Sequence, residues 1–173
     1  MATKDQVIHN SSTGETIRFL LTSADTDGEL LQFEDTLPAN HASVPSHIHA
    51  CQEETFTVQE GTFHAIVDGE AKSLSVGESL TIPAGVAHSF HSKQSRGVKV
   101  LVELRPALDY EIFFETLAYA GEHKRNIPLQ IAVLTQELNL GFYLAGTPKP
   151  LQNGMFAVMA ATARIMGYQA AYP

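Results

Sequence analysis

Three histidines and one glutamate have the residue types and spacing needed to surround one metal ion. His47 and His49 are separated by a single residue, so on a strand both side chains point to the same face. Glu54 follows shortly after, and His88 comes from a separate stretch. Three neutral imidazoles and a carboxylate suit iron, manganese, nickel, copper or zinc. We therefore predict that His47, His49, Glu54 and His88 bind one divalent transition metal ion.

Some neighbouring donor side chains are not expected to be ligands: His41, Cys51, Glu53 and His91. Alternation along a strand points Glu53 outward if Glu54 points inward. His91 has the opposite parity to His88 and should face away from it. Cys51 lies in the loop after His49 and is expected to be solvated.

Up to about residue 105, the sequence predicts that short strands position these residues. Alternating apolar and polar residues separated by turn residues predict strands at 15–22, 29–34, 55–59, 79–82 and 98–104. Asp68-Gly69 is a hairpin signal between two such runs. Many short antiparallel strands are typical of a sandwich or jelly-roll barrel. In such a fold Phe56, Val58 and Phe90 would line the interior.

After Pro106 the hydrophobic period changes from about two to about three and a half, which predicts helices. Tyr110, Phe113 and Phe114 fall on one face of the first helix, where we expect them to pack in the core. Pro128 suits the first turn of a second helix. A third carries an apolar stripe between residues 151 and 166, expected to be core or a dimer surface. We predict residues 1–107 as the β-barrel and 108–173 as a helical extension packed on it, within one domain.

Two sequence motifs make the chain resemble the cupin superfamily. The first, H-x-H-x4-E-x6-G, is matched by His47, His49, Glu54 and Gly61. The second is matched by Gly77, Pro83, Gly85 and His88. The chain departs from the family pattern at the glycine that opens the first motif and the asparagine that ends the second, where it has His41 and Ser92. Neither position is a metal ligand in the family.

The resemblance extends into the second half of the chain, which is similar to single-cupin bacterial proteins of the quercetin-dioxygenase-like type with a helical tail. It rests on segments such as 104–108, 113–117 and 143–146. The resemblance implies a mainly β fold, a cupin jelly-roll β-barrel followed by a C-terminal α-helical extension. It also implies that Glu54 is both ligand and catalytic base, and that the protein forms a homodimer.

Composition excludes several classes of partner. The chain of 173 residues has 11 Lys and Arg against 19 Asp and Glu, a net charge of −8 at pH 7. Without a dense basic run, neither nucleic acid nor an anionic membrane surface is an expected partner. The single cysteine, Cys51, fits a reducing compartment, and the polar start lacks the apolar core of a secretory signal. We predict a cytoplasmic protein.

Three functions fit a metal inside a partly apolar barrel. The first is a metal-dependent dioxygenase-type oxidoreductase acting on a small uncharged organic substrate, a class that includes aromatic compounds. The alternatives are an isomerase or hydrolase that uses the metal as a Lewis acid, and a non-catalytic module that binds or senses a small molecule. The open ligand set and the interior positions Phe56, Val58 and Phe90, which favour an uncharged substrate, rank the dioxygenase first.

Overall fold

The computed structural model describes residues 2–41, 44–91 and 96–172. Ser92, one of the two departures from the motif pattern, lies outside the described residues. The described residues of the first part of the chain form ten strands: β1 (Val7–Asn10), β2 (Glu15–Leu21), β3 (Leu31–Leu37), β4 (His47–His49), β5 (Glu53–Glu60), β6 (Thr62–Val67), β7 (Glu70–Ser75), β8 (Ser79–Ile82), β9 (His88–His91) and β10 (Val98–Arg105). Three helices follow: α1 (Tyr110–Glu122), α2 (Ile127–Glu137) and α3 (Lys149–Ile165), with a short strand β11 (Phe142–Leu144) before the last.

The strands form two antiparallel sheets. One sheet has the order β1-β2-β3-β10-β5-β8, and the other has the order β11-β4-β9-β6-β7. Glu54 therefore belongs to the first sheet, whereas His47, His49 and His88 belong to the second. Bringing the four together requires the inner faces of the two sheets to meet.

The alternating sequence pattern explains which side chains lie between the sheets. In β5 every second residue is buried, and the same holds for β3 and β10, as expected for strands with one face on the core. Phe56 and Val58 are buried as predicted. The predicted strand 29–34 is displaced to Leu31–Leu37, because the Thr26 hydroxyl bonds both the N–H and the C=O of Leu30 and keeps that segment in a turn.

The predicted closure into a barrel is wrong in one respect. Among the described residues, the two sheets are not hydrogen-bonded to each other and are not closed into a barrel. β8 is an edge of the first sheet and β7 an edge of the second. Both edge strands are short, and most of β7 is exposed, a usual way of protecting sheet edges. The mainly β fold with C-terminal helices is confirmed.

The tail is not entirely helical, which corrects the prediction of a purely helical extension. β11 pairs antiparallel with β4, placing Phe142 opposite His49 and Leu144 opposite His47. Three residues give too short an alternation to be recognised as a strand from sequence. Ordinary helix signals mark the rest of the tail: Asn126 caps α2 by accepting a hydrogen bond from the Leu129 N–H.

The main hydrophobic core joins the sheets to the tail. Most of its buried members come from β2, β3, β5, β6, β7, β8 and β10, and they also include Tyr110, Leu134 and Leu140 from the tail. A smaller cluster holds α2 and α3 together through Val133, Phe156 and Ala160. In the described part of the chain, no helix is both long and apolar enough to cross a membrane.

Candidate metal centre

The four predicted ligands converge in one place. His47, His49, Glu54 and His88 each offer one donor atom, and these atoms all lie within 4.8 Å of one another. All four side chains are buried, with exposed fractions between 2% and 7%. Such proximity places the four donors within reach of one ion. The group could therefore hold a metal.

Local backbone geometry explains how the sequence brings them together. Residues 47 and 49 lie on one strand with both side chains inward, and β9 pairs with β4 so that His88 is directly opposite His47. Their ring centroids are 4.3 Å apart. Glu54 reaches the same point from the facing sheet, where it lies between Leu104 and Ile82 of the neighbouring strands.

Two of the histidine rings are oriented by the backbone immediately before them. Nδ1 of His47 lies 2.9 Å from the carbonyl oxygen of Pro45, and Nδ1 of His88 lies 3.0 Å from that of Val86. A carbonyl only accepts, so each Nδ1 carries a proton and donates it. In the neutral ring Nε2 is then the free acceptor, and that atom faces the centre of the group.

The centre itself has unsatisfied donor atoms. Oε2 of Glu54 lies 2.9 Å from Nε2 of His88 and 3.6 Å from Nε2 of His49. None of these three buried atoms has a hydrogen bond of acceptable geometry. Buried polar atoms are nearly always paired, and lone pairs that face one another repel unless a cation lies between them. The donor set therefore fits a divalent transition metal ion.

The protonation states are those that metal ligation requires at two of the histidines and at the carboxylate. Burial, aided by the nearby His88, lowers the pKa of His47 to about 4, and burial also lowers the pKa of His49. Burial raises the pKa of Glu54, but contact with His88 and the other imidazoles outweighs it and leaves that pKa below its usual value. At His88 burial lowers the pKa, yet contact with Glu54 prevails and raises it.

The side chains predicted to be non-ligands lie outside the group of four. Glu53 is exposed, Cys51 is a free and exposed thiol, and the His91 ring stacks on His64 at a centroid distance of 5.8 Å. His41 is buried, and neither of its ring nitrogens has a hydrogen-bond partner. Burial raises the pKa of the nearby Glu15 carboxyl, and the proximity of His41 opposes that rise.

A second inward-facing carboxyl in the same sheet behaves in the opposite way to Glu54. Asp35 on β3 is 3% exposed. Burial, together with the negative charges of Glu15 and Glu54, raises its pKa well above the usual range. Glu54 faces three imidazoles, whereas Asp35 faces another carboxyl. The neighbours, and not burial alone, decide which acid is ionised.

Sequence reasoning missed two residues that touch the group. Tyr110, predicted only to pack in the core, has its hydroxyl oxygen 2.8 Å from Nδ1 of His49. Phe142 of β11 packs against His47 and His49 with ring centroids 5.4 and 6.5 Å apart. No local pattern marks either role, because each depends on how the tail folds back over β4.

Comparison with known proteins agrees with the architecture. The family model described as a cupin domain matches residues 33–102, which include all four members of the group. This match and the similar proteins described below support a cupin domain in this chain. Residues beyond the matched region include the whole tail, so Tyr110 and Phe142 are not part of the family pattern.

Other cupins with known sequence or structure are similar to this one over part of its length. Quercetin 2,3-dioxygenase of Bacillus subtilis (strain 168) is 32% identical over 106 residues, which are 61% of this chain and 31% of that protein. The chain thus aligns with less than a third of that relative. An RmlC-like cupin from Shewanella frigidimarina NCIMB 400 is 25% identical with a TM-score of 0.50, covering 62% of this chain and 90% of that one.

A more distant structure supports the fold alone. It is described as a predicted oxalate decarboxylase from Thermotoga maritima and is 18% identical with a TM-score of 0.51. The match covers 61% of this chain and 99% of the other. The common part is therefore a single small cupin fold, and the remaining part of this chain is additional.

Proposed function

We propose that this cupin binds one divalent transition metal ion, iron, manganese, nickel, copper or zinc, through His47, His49, Glu54 and His88. The observation that carries the proposal is the convergence of their buried donor atoms within 4.8 Å, with three of those atoms lacking a hydrogen bond. Four protein ligands leave one or two positions open on a five- or six-coordinate ion. An open position favours a catalytic site over a sealed structural one.

We further propose a dioxygenase-type oxidoreductase that acts on a small uncharged organic substrate, including aromatic compounds. The similarity to a quercetin 2,3-dioxygenase supports this choice. The interior beside the group is also aromatic: the Phe56 ring lies 4.8 Å from Phe63 and 5.4 Å from Phe90, centroid to centroid. A bound metal would supply an open coordination position and redox or Lewis-acid character.

Glu54 would have two tasks in such a reaction. Oε2, which faces the imidazoles, would hold the metal, and the same carboxylate would accept a proton from a substrate hydroxyl. The pKa of Glu54 lies below its usual value, since contact with His88 and the other imidazoles outweighs burial. A base of low pKa is weak, so Glu54 would have to loosen its hold on the metal to take that proton.

Oxygen consumption tests the reaction class. The full-length protein is loaded anaerobically with each candidate metal in turn, and oxygen uptake is followed with a panel of flavonols and catechols. The proposal expects uptake with at least one metal and none with the Glu54→Gln variant. If no metal supports uptake with any substrate while metal binding is intact, the dioxygenase assignment is wrong and only the metal site remains.

We also propose that two copies associate through α3 in the cytoplasm. The outer face of this helix has large apolar side chains that are strongly exposed, among them Leu151 at 65%, Val158 at 69% and Ile165 at 89%. The helix has 17 residues and is about 25 Å long, and only Lys149 and Arg164 in it are charged. A contiguous apolar stripe on a chain of net charge −8 is typical of an interaction site.

A further inference from the structure

The three histidines of the metal centre are not oriented in the same way. The Nδ1 atoms of His47 and His88 donate to backbone carbonyls two residues earlier in the chain, just before their strands begin. His49 differs, because its Nδ1 lies 2.8 Å from the hydroxyl oxygen of Tyr110, which is 61 residues away in the chain. Two ligands are thus oriented locally, and the third is oriented by the tail.

The Tyr110 contact is well placed to control His49. Tyr110 opens α1 and is 4% exposed, and its ring centroid is 5.3 Å from that of His49. A buried phenol normally has a hydrogen-bond partner, and His49 supplies it here. Phe113 and Phe114 pack on the Tyr110 ring at centroid distances of 5.5 and 5.8 Å, so the hydroxyl has little freedom to move.

Ligation through Nε2 fixes the tautomer of His49 and, with it, the direction of the hydrogen bond to Tyr110. A neutral imidazole carries one proton, so ligation through Nε2 requires that proton to be on Nδ1. Nδ1–H then donates to the phenol oxygen of Tyr110. The other tautomer would point an N–H bond at the position of the ion. Outer hydrogen bonds of this kind fix ring orientation and raise the basicity of the ligand.

The segment that carries His49 is tied to the tail at further points. The Ala50 N–H donates to the Gly141 carbonyl at 2.7 Å, and the Ala145 N–H donates to the Ser46 carbonyl at 2.9 Å. The Gln52 side-chain amide donates to the Pro106 carbonyl at 2.6 Å. These bonds, together with the pairing of β11 with β4, hold Tyr110 and His49 in a fixed relative position.

We infer that Tyr110 is a positioning residue of the metal centre, an inference that rests on the proposed metal function. Its hydroxyl sets the orientation of His49 and accepts the Nδ1–H hydrogen bond that is present when Nε2 is a ligand. The metal affinity therefore depends on the tail as well as on residues 33–102. The cupin motifs would then be necessary for a tight site without being sufficient.

The test compares Tyr110→Phe with Tyr143→Phe in the full chain. Both substitutions remove one phenol hydroxyl from the tail. Tyr143 lies on β11, and its ring stacks under the Lys149 ammonium at 5.0 Å, on a different face from Phe142. Apoprotein is titrated with Co²⁺ or Zn²⁺ in competition with a chromophoric chelator, and the d–d spectrum of the Co²⁺ form is recorded at saturation. Removing an outer partner costs about 10–100-fold in metal affinity.

We expect this loss and an altered Co²⁺ spectrum for Tyr110→Phe, with wild-type behaviour for Tyr143→Phe. A third variant, Phe114→Leu, weakens packing around Tyr110 without touching its hydroxyl. Equal affinities for Tyr110→Phe and wild type would overturn the inference and leave the metal function intact. The inference would also be overturned if Phe114→Leu lowered the metal affinity as much as Tyr110→Phe does while the Co²⁺ spectrum stayed unchanged. If wild type itself binds no metal, the proposed function and this inference both fail.

Discussion

Two regions meet at the metal centre, and they differ in how local their contributions are. The region 33–102 supplies all four proposed ligands through short motifs whose backbone also orients two of the rings. The tail supplies no proposed ligand, yet Tyr110 and Phe142 touch the imidazoles from outside the family pattern. The difference shows that short sequence motifs determine which residues are the proposed ligands, whereas tertiary contacts partly determine how those side chains are oriented.

The largest effect should follow the loss of a proposed ligand from the motif region. Glu54→Gln removes the one anionic donor of the group, and its matched control, Glu53→Gln, alters an exposed neighbour on the outer face of β5. We expect Glu54→Gln to lose far more than the about 10–100-fold cost of an outer partner, as measured by chelator competition. Equal affinity for the two variants would remove Glu54 from the site.

The second prediction concerns whether the tail and the sheets unfold together. Leu134 of α2 has no exposed surface and belongs to the main core, so Leu134→Ala should cost about 2–5 kcal/mol in the free energy of unfolding. Leu151→Ala, at an exposed position of α3, should change it by less than about 0.5 kcal/mol. Urea denaturation of the apoprotein measures both. Two separate transitions would show that the tail is an independent unit.

A third prediction concerns Asp35, the buried carboxyl that faces another carboxyl and no imidazole. Because the pKa of Asp35 is raised in the folded state, the folded protein keeps this proton after the unfolded chain has lost it. Wild-type stability should therefore fall as pH rises above about 3.9 toward the folded pKa, by at most about 1.4 kcal/mol per pH unit. Asp35→Asn cannot ionise and should gain stability over wild type through that interval.

The pH dependence is measured by urea denaturation between pH 4 and 8, with Asp68→Asn at an exposed turn as the control. Parallel pH profiles for wild type and Asp35→Asn would contradict the raised pKa. Such a result would also remove the contrast between Asp35 and Glu54, whose pKa lies below its usual value.

The smallest effect on the metal centre should come from the outer face of the tail. Val158→Glu places a charge in the exposed stripe of α3 and should convert a dimer to a monomer without changing metal affinity. Asn153→Glu adds the same charge to the helix away from the stripe. Light scattering gives the molar mass of each variant, which should be that of a monomer for Val158→Glu and that of a dimer for Asn153→Glu. A wild-type monomer, or a dimer that survives Val158→Glu, would exclude α3 as the interface.

The positions of β2, β5, β8, β10 and the three helices could be predicted because each leaves a local signal, and the spacing of the proposed ligands predicted that they meet. The His47-x-His49 spacing fixes a shared strand face, and alternation separates Glu54 from Glu53. β11 could not be predicted, since three residues such as Phe142–Leu144 become a strand only when β4 offers them a partner. Its spacing from Phe113 and Phe114 predicts that Tyr110 lies on a helical face, but its contact with His49 depends on the angle at which α1 returns to the sheets.

The central claim is that three imidazoles and one carboxylate hold one metal ion. X-ray absorption at the metal edge, recorded on the full-length protein loaded with one equivalent of Zn²⁺, tests it most directly. The account predicts nitrogen and oxygen in the first shell and outer-shell scattering from three histidine rings, reduced to two in the His88→Ala variant. Scattering from fewer than three imidazoles in the wild type, or a sulfur ligand from the nearby thiol of Cys51, would contradict it.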